Sequence, residues 1–148
     1  MVDELDLKIL NVLFEDGRAS FADIGRKLGV SENTVRFRFQ KLVKTGVIRK
    51  VTVLVDHVKL GLKNSAALML KIDPAELNNV LEELKRLREI ANIYQLSGDF
   101  DAIAVAYGRD LDHIREIVER IKKIPGIISV NTLVTLRVVK TDTRYGLV

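Results

Sequence analysis

The period of the apolar residues divides this chain in two, and that division restricts its fold more than any other feature. Over residues 3–44 apolar side chains recur every three or four residues, the spacing of one helix face; beyond residue 47 short runs that alternate every second residue are interleaved with two further helical stretches. Helices alone come first and a sheet with its own helices follows, so the expected class is α+β.

The second half repeats one pattern twice. AALMLKID (66–73) reads as a strand, and Asp73-Pro74 as a cap followed by proline at the first helical position. Leu77, Val80, Leu81, Leu84 and Leu87 mark an amphipathic helix. IYQLSG (93–98) and DAIAVAYG (101–108) are two strands around a turn at Gly98-Asp99. Leu111, Ile114, Ile117, Val118, Ile121 and Ile124 mark a second helix, which Pro125-Gly126 stops before a long final strand over 127–140. The order βαββαβ is the ferredoxin-like split motif: a four-stranded antiparallel sheet with both helices on one face. Apolar residues occupy both alternating sets of these strands, so the open face needs cover, and self-association is the simplest cover.

The first half predicts three helices. Leu5, Ile9, Val12 and Leu13 form one stripe over residues 3–15, widened by Leu7, Leu10 and Phe14. Phe21, Ile24 and Leu28 give a second helix, with Ser20 as N-cap and Gly29 just past its end. Ser31 then caps a third, whose buried stripe is Val35, Phe39 and Leu42. At about 100° per residue the opposite face carries Asn33, Phe37, Gln40 and Lys44, with Thr34, Arg36 and Lys41 on its flanks. Those residue types suit the DNA major groove: Asn and Gln pair with adenine, Arg and Lys reach guanine, and a ring touches a thymine methyl. Phe37 has two readings of equal weight, a base contact or packing on a neighbouring helix. Arg38 lies beside the buried stripe, as a support or a phosphate contact. Residues 20–50 hold eight Lys or Arg against two acids, whereas residues 51–148 hold 14 against 13. Positive charge is thus concentrated on the helix-turn-helix, as a phosphate backbone requires. VIRKVTVLVD (47–56) reads as a strand, and HVKLGLKNS (57–65) as an inter-domain linker.

Composition narrows the chemistry. The chain has 148 residues, a net charge of +4 and 47% apolar residues, enough for one domain or two small ones with folded cores. With no cysteine there is no disulfide framework and no thiolate site. The two histidines, His57 and His113, have no neighbours at ligand spacing. No nucleophile elbow or phosphate-binding glycine loop occurs. No catalytic residue, metal or cofactor is expected. The start has no signal-peptide pattern, and no run approaches the roughly 20 apolar residues of a membrane span. A cytoplasmic location is expected.

One polar cluster breaks the second half: SGDFDA, 97–102. It reads either as a plain hairpin turn or as a site for a zwitterion. In the second reading, turn amides near Gly98 take a carboxylate, and Asp101, which begins an otherwise apolar strand, accepts from an amine; Ser97 and Asp99 are counted with the same site. Asn131, Thr132 and Thr135 on the last strand add amide and hydroxyl contacts.

Taken together, LDLKILNVLFEDGR (5–18), LGVSENTVRFRFQKLVKTGVIRK (28–50), SGDFDAIAV (97–105) and IPGIISVNTLV (124–134) resemble the Lrp/AsnC family of feast/famine transcription regulators. The resemblance spans essentially the whole chain. It implies a winged helix-turn-helix DNA-binding domain over 1–50, a linking strand and hinge over 51–63, and a ferredoxin-like domain for ligand binding and oligomerisation over 64–148. It also implies double-stranded DNA as partner, a small amino acid as effector, and homodimers assembling further, commonly to octamers. By position, Ser31, Asn33, Thr34, Arg36 and Arg38 fall on the recognition helix. Gly98, Asp99 and Asp101 fall on the glycine–aspartate effector motif, and Thr132 falls near it. Phe37 departs from a position that is usually polar, and Val130 from one that often carries threonine. Two rivals remain: an enzyme on the same frame, similar to tetrapyrrole decarboxylases, and an architectural protein that compacts DNA without sequence preference.

Overall fold

The computed structural model describes residues 1–148, which divide into two compact units. One holds Met1–Val55 together with Lys140–Val148, and the other holds Asp56–Val139.

Three helices build the first unit: α1 (Glu4–Glu15), α2 (Phe21–Leu28) and α3 (Glu32–Lys44). Asp3 caps α1 through a reciprocal box in which its side chain accepts from the Asp6 amide and Asp6 accepts from the Asp3 amide. Ser20 and Ser31 cap α2 and α3, each accepting from the amide three residues on. Ile9, Val12, Ile24 and Val35 form the core, one stripe from each helix meeting at a point. Gly25 sets the tight turn between α2 and α3. A Cβ there would stand 2.6 Å from the Val30 carbonyl oxygen, so only glycine lets the turn close. Gly29 ends α2 with a φ of 71°, the left-handed conformation expected just past a helix.

The second unit follows the expected βαββαβ order. Its elements are β1 (Asn64–Ile72), a 3₁₀ turn (Pro74–Glu76), α4 (Leu77–Lys85), β2 (Ile90–Gln95), β3 (Ala102–Gly108), α5 (Leu111–Lys122) and β4 (Ile127–Val134). The strands lie in the order β2-β3-β1-β4, each neighbouring pair antiparallel. Leu68 pairs with Ala104 and Thr132, which places those residues on one face of the sheet. On that face Ala66, Leu68 and Leu70 of β1 and three alanines of β3 pack with Val80 and Leu84 of α4 and with Ile114, Ile117 and Ile121 of α5. Small residues on the central strand leave room for the branched side chains of the helices. The other face carries Met69, Tyr94, Ile103, Val105, Tyr107 and Leu133, none fully buried.

Four sequence expectations are corrected. Residues 47–56 form no strand or wing within one chain, because no segment of it supplies a ladder partner; the resemblance places the partner of 51–56 on the dimer mate. The final strand stops at Val134 rather than 140, since β1 begins at Asn64, one residue past Ser65, whose carbonyl takes the Thr135 amide. Of the stretch 57–65, expected as an inter-domain linker, residues 57–61 form a turn, and Asn64 and Ser65 already belong to β1. The His57 carbonyl accepts from the Leu60 and Leu62 amides, and the His57 ring stacks edge-on against Tyr107 at 4.8 Å. Residues 140–148, expected with the ferredoxin-like part, group with the helical unit, where Arg144 contacts Glu15 at 2.9 Å.

Candidate nucleic-acid interface and effector loop

The outer face of α3 is open. Asn33, Arg36, Phe37, Gln40, Lys41 and Lys44 are all exposed, and they recur at helical spacing opposite buried Val35 and Leu42. Ser31 and Thr34 sit at the start of α3, joined by a 2.8 Å hydroxyl contact, so their first task is to cap the helix. Phe37 is 65% exposed. The ring that packs inside the unit is its neighbour Phe39, paired with Phe21 at 5.1 Å.

The two arginines of α3 are engaged. Arg36 reaches Glu32 at 2.9 Å and lies over the Phe21 ring at 5.2 Å. Arg38 turns away from the outer face: its guanidinium meets Asp3 at 2.5 Å and buried Asp6 at 3.3 Å. It thereby ties α3 to the capping box of α1. Arg38 holds the Asp3 carboxyl down to about 2 by its hydrogen bond, helped by the Asp6 amide. Sequence reasoning missed Asp3 and Asp6. Two aspartates three apart before an apolar helical run were the available signal.

The loop between β2 and β3 is held from below. The Asp101 amide donates to the Leu70 carbonyl at 2.9 Å, and one Asp101 carboxylate oxygen accepts from the Ile72 amide at 2.8 Å. Asp101 is therefore a strut across β1 with one carboxylate oxygen still uncommitted. Ser97, Gly98 and Asp99 are exposed, and Gly98 has a φ of 112°. The amides from Ser97 to Phe100 find no acceptor within the chain. Lys71 lies over the Phe100 ring at 5.8 Å.

The last-strand residues do not join this loop within one chain. Asp101 lies at the rank of Lys71, whereas Asn131 pairs with Met69 and Thr132 with Leu68, so these two point to opposite faces. The Thr135 amide bonds the Ser65 carbonyl, six residues along β1 from Lys71 and about 20 Å away at ~3.4 Å per residue. Both histidines are occupied structurally. His57 Nδ1 meets the Leu62 carbonyl at 2.6 Å, and His113 Nδ1 accepts from the Arg109 amide at 3.1 Å. No helix is long and apolar enough to cross a membrane.

Comparison with known proteins agrees with this geometry. Residues 2–43 match the AsnC-type helix-turn-helix domain, and residues 65–145 match the Lrp/AsnC ligand binding domain. The chain is similar to the HTH-type transcriptional regulator Ptr1 of Methanocaldococcus jannaschii, 36% identical over 95% of this chain and 94% of that protein. It is also similar to the HTH-type transcriptional regulator FL11 of Pyrococcus horikoshii, 30% identical over 97% of this chain and 95% of that one. Among solved structures, Escherichia coli AsnC superposes with a TM-score of 0.91 at 25% identity, covering 97% of both chains. An L-Met complex of a Neisseria meningitidis transcriptional regulator superposes with a TM-score of 0.91 at 20% identity over 97% of this chain and 96% of that one, a likeness of fold. With both halves matched in the order the structure shows, the chain belongs to the Lrp/AsnC family of helix-turn-helix transcriptional regulators.

Proposed function

We propose that this regulator docks α3 in the major groove of double-stranded DNA as a dimer, and that a small amino acid at the Ser97–Asp101 loop changes its assembly or its hold on DNA. The observation that carries the first part is the open face of α3, where amide, basic and aromatic side chains stand together with nothing of their own unit covering them. The unpaired amides of the loop and the carboxylates of Asp99 and Asp101 support the second part, since a free amino acid presents one group to each. The methionine held by the Neisseria protein of the same fold points to the same ligand class. Asn131, Thr132 and Thr135 complete such a site only from a neighbouring copy, because within one chain they lie apart from the loop. The open sheet face supplies a surface for that association, and octamers are the larger assembly we expect.

The test is selection of binding sites from random DNA, with and without a panel of amino acids. The expected outcome is a pseudo-palindrome with half-sites about one helical turn, roughly 10 bp, or a multiple apart. Occupancy should shift with at least one amino acid. A lone half-site with no amino-acid response would overturn the proposal.

A further inference from the structure

We propose that Phe37 is a specificity-determining residue, whose ring reads the 5-methyl group of a thymine within an A·T step bracketed by Asn33 and Gln40. This rests on the placement of α3 in the major groove and adds which base pairs it selects.

Four observations carry it. Phe37 is 65% exposed on a charged and polar face, a position that is costly in water unless the ring meets an apolar group. Packing within its own unit does not explain it, because the ring partner of Phe21 is Phe39. Asn33 and Gln40 lie one turn to either side on the same face, and both are exposed. Amide side chains make paired hydrogen bonds with adenine N6 and N7. Finally, neither arginine of α3 stands at the centre of the face. Arg36 sits between Glu32 and the Phe21 ring, and Arg38 is bound to Asp3 and Asp6. The side chains left free at the centre of the face recognise adenine and the thymine methyl. Lys41 and Lys44 remain for phosphates.

A methyl group is the one major-groove feature that separates thymine from uracil, and exchanging them leaves base pairing intact. The experiment uses the full chain and the duplex recovered by site selection. Each thymine of a half-site is replaced in turn by uracil, and affinity is measured for wild type, Phe37→Ala and Phe37→Leu. One thymine per half-site should weaken wild-type binding about fourfold when its methyl is removed, the factor expected for burying one such group. Phe37→Ala should bind the thymine and uracil duplexes alike at that position, and Phe37→Leu should keep part of the difference. The melting temperature of Phe37→Ala should match wild type.

The inference is overturned if no uracil exchange affects the wild type, or if the penalty persists undiminished in Phe37→Ala. A lowered melting temperature with a uniform loss of affinity would also overturn it, by showing a packing role. Failure of the underlying reading looks different: selection would then recover no preferred sequence, and this inference would fall with it. Preferred sites rich in G·C would leave the DNA-binding reading standing and remove this one alone.

Discussion

At Arg38 one guanidinium serves two carboxylates, and both belong to the helix cap of α1. A residue read from sequence as a support or a phosphate contact therefore ties α3 to the cap of α1. Its effect should be visible in acid. The Asp3 carboxyl falls from its ordinary 3.8 to about 2, first through the Arg38 hydrogen bond and then through the Asp6 amide. A depressed carboxyl stabilises the folded chain above its unfolded value, and that contribution drains as pH falls from about 4 toward 2. Arg38→Gln should melt lower than wild type at about pH 5, and the gap should narrow as pH approaches 2. A gap that stays constant across that window would show that Arg38 acts by packing alone. Asp101 offers a second instance. Its carboxylate binds the Ile72 amide, so it shapes the loop whatever ligand the loop takes.

The helix-turn-helix depends on one close approach and one exposed face. Gly25→Ala sets two effects against each other. Alanine gains about 1 kcal/mol of helix propensity over glycine. Against that, its Cβ would stand 2.6 Å from the Val30 carbonyl, a backbone atom that cannot swing aside. Overpacking of this kind costs about 1–3 kcal/mol. The expected net result is a lower midpoint in urea denaturation, with weaker DNA binding as a consequence. An unchanged or raised midpoint would mean that the turn relaxes freely. Lys44 tests the face. It is exposed in the last turn of α3, and the proposed docking gives it a phosphate rather than a base edge. Lys44→Ala should weaken specific and random duplexes by the same factor and lower the slope of log affinity against log salt by about 0.9. A change in preferred sequence would place Lys44 over a base.

For the whole molecule, the open sheet face and the separation of Asn131, Thr132 and Thr135 from the Ser97–Asp101 loop are what the proposed association with a second copy has to account for. Asp101→Asn keeps the side-chain shape and an oxygen for the Ile72 amide while removing the charge. It should abolish the response to an amino acid and leave DNA binding by the ligand-free protein nearly unchanged. Calorimetry of wild type and variant with a panel of amino acids checks this, and equal binding by both would remove Asp101 from the site. Ligand and DNA are coupled only if two assembly states hold the amino acid with different affinity, because equal affinity shifts no equilibrium. Amino-acid titrations followed by sedimentation should therefore change the distribution of oligomers as well as DNA occupancy.

Period and punctuation in the sequence determined the elements. Ile9, Val12, Ile24 and Val35 announced three packed helices, and the doubled strand–helix pattern announced the four-stranded sheet, because burial enforces spacing of 3.6 or 2. The caps at Ser20, Ser31 and Asp73 were equally legible, since they depend on neighbours in the chain. Contacts between elements distant in sequence were not. Arg38 meets Asp3 across 35 positions, and Asp101 meets Ile72 across 29. No local pattern marks such pairs. The same holds for 47–56, whose β-branched residues suit a strand that needs a partner the chain does not contain. That Phe39 turns inward was legible from its place in the stripe of Val35 and Leu42, because only one side of a helix can face the core; that its ring partner is Phe21 was decided by tertiary packing.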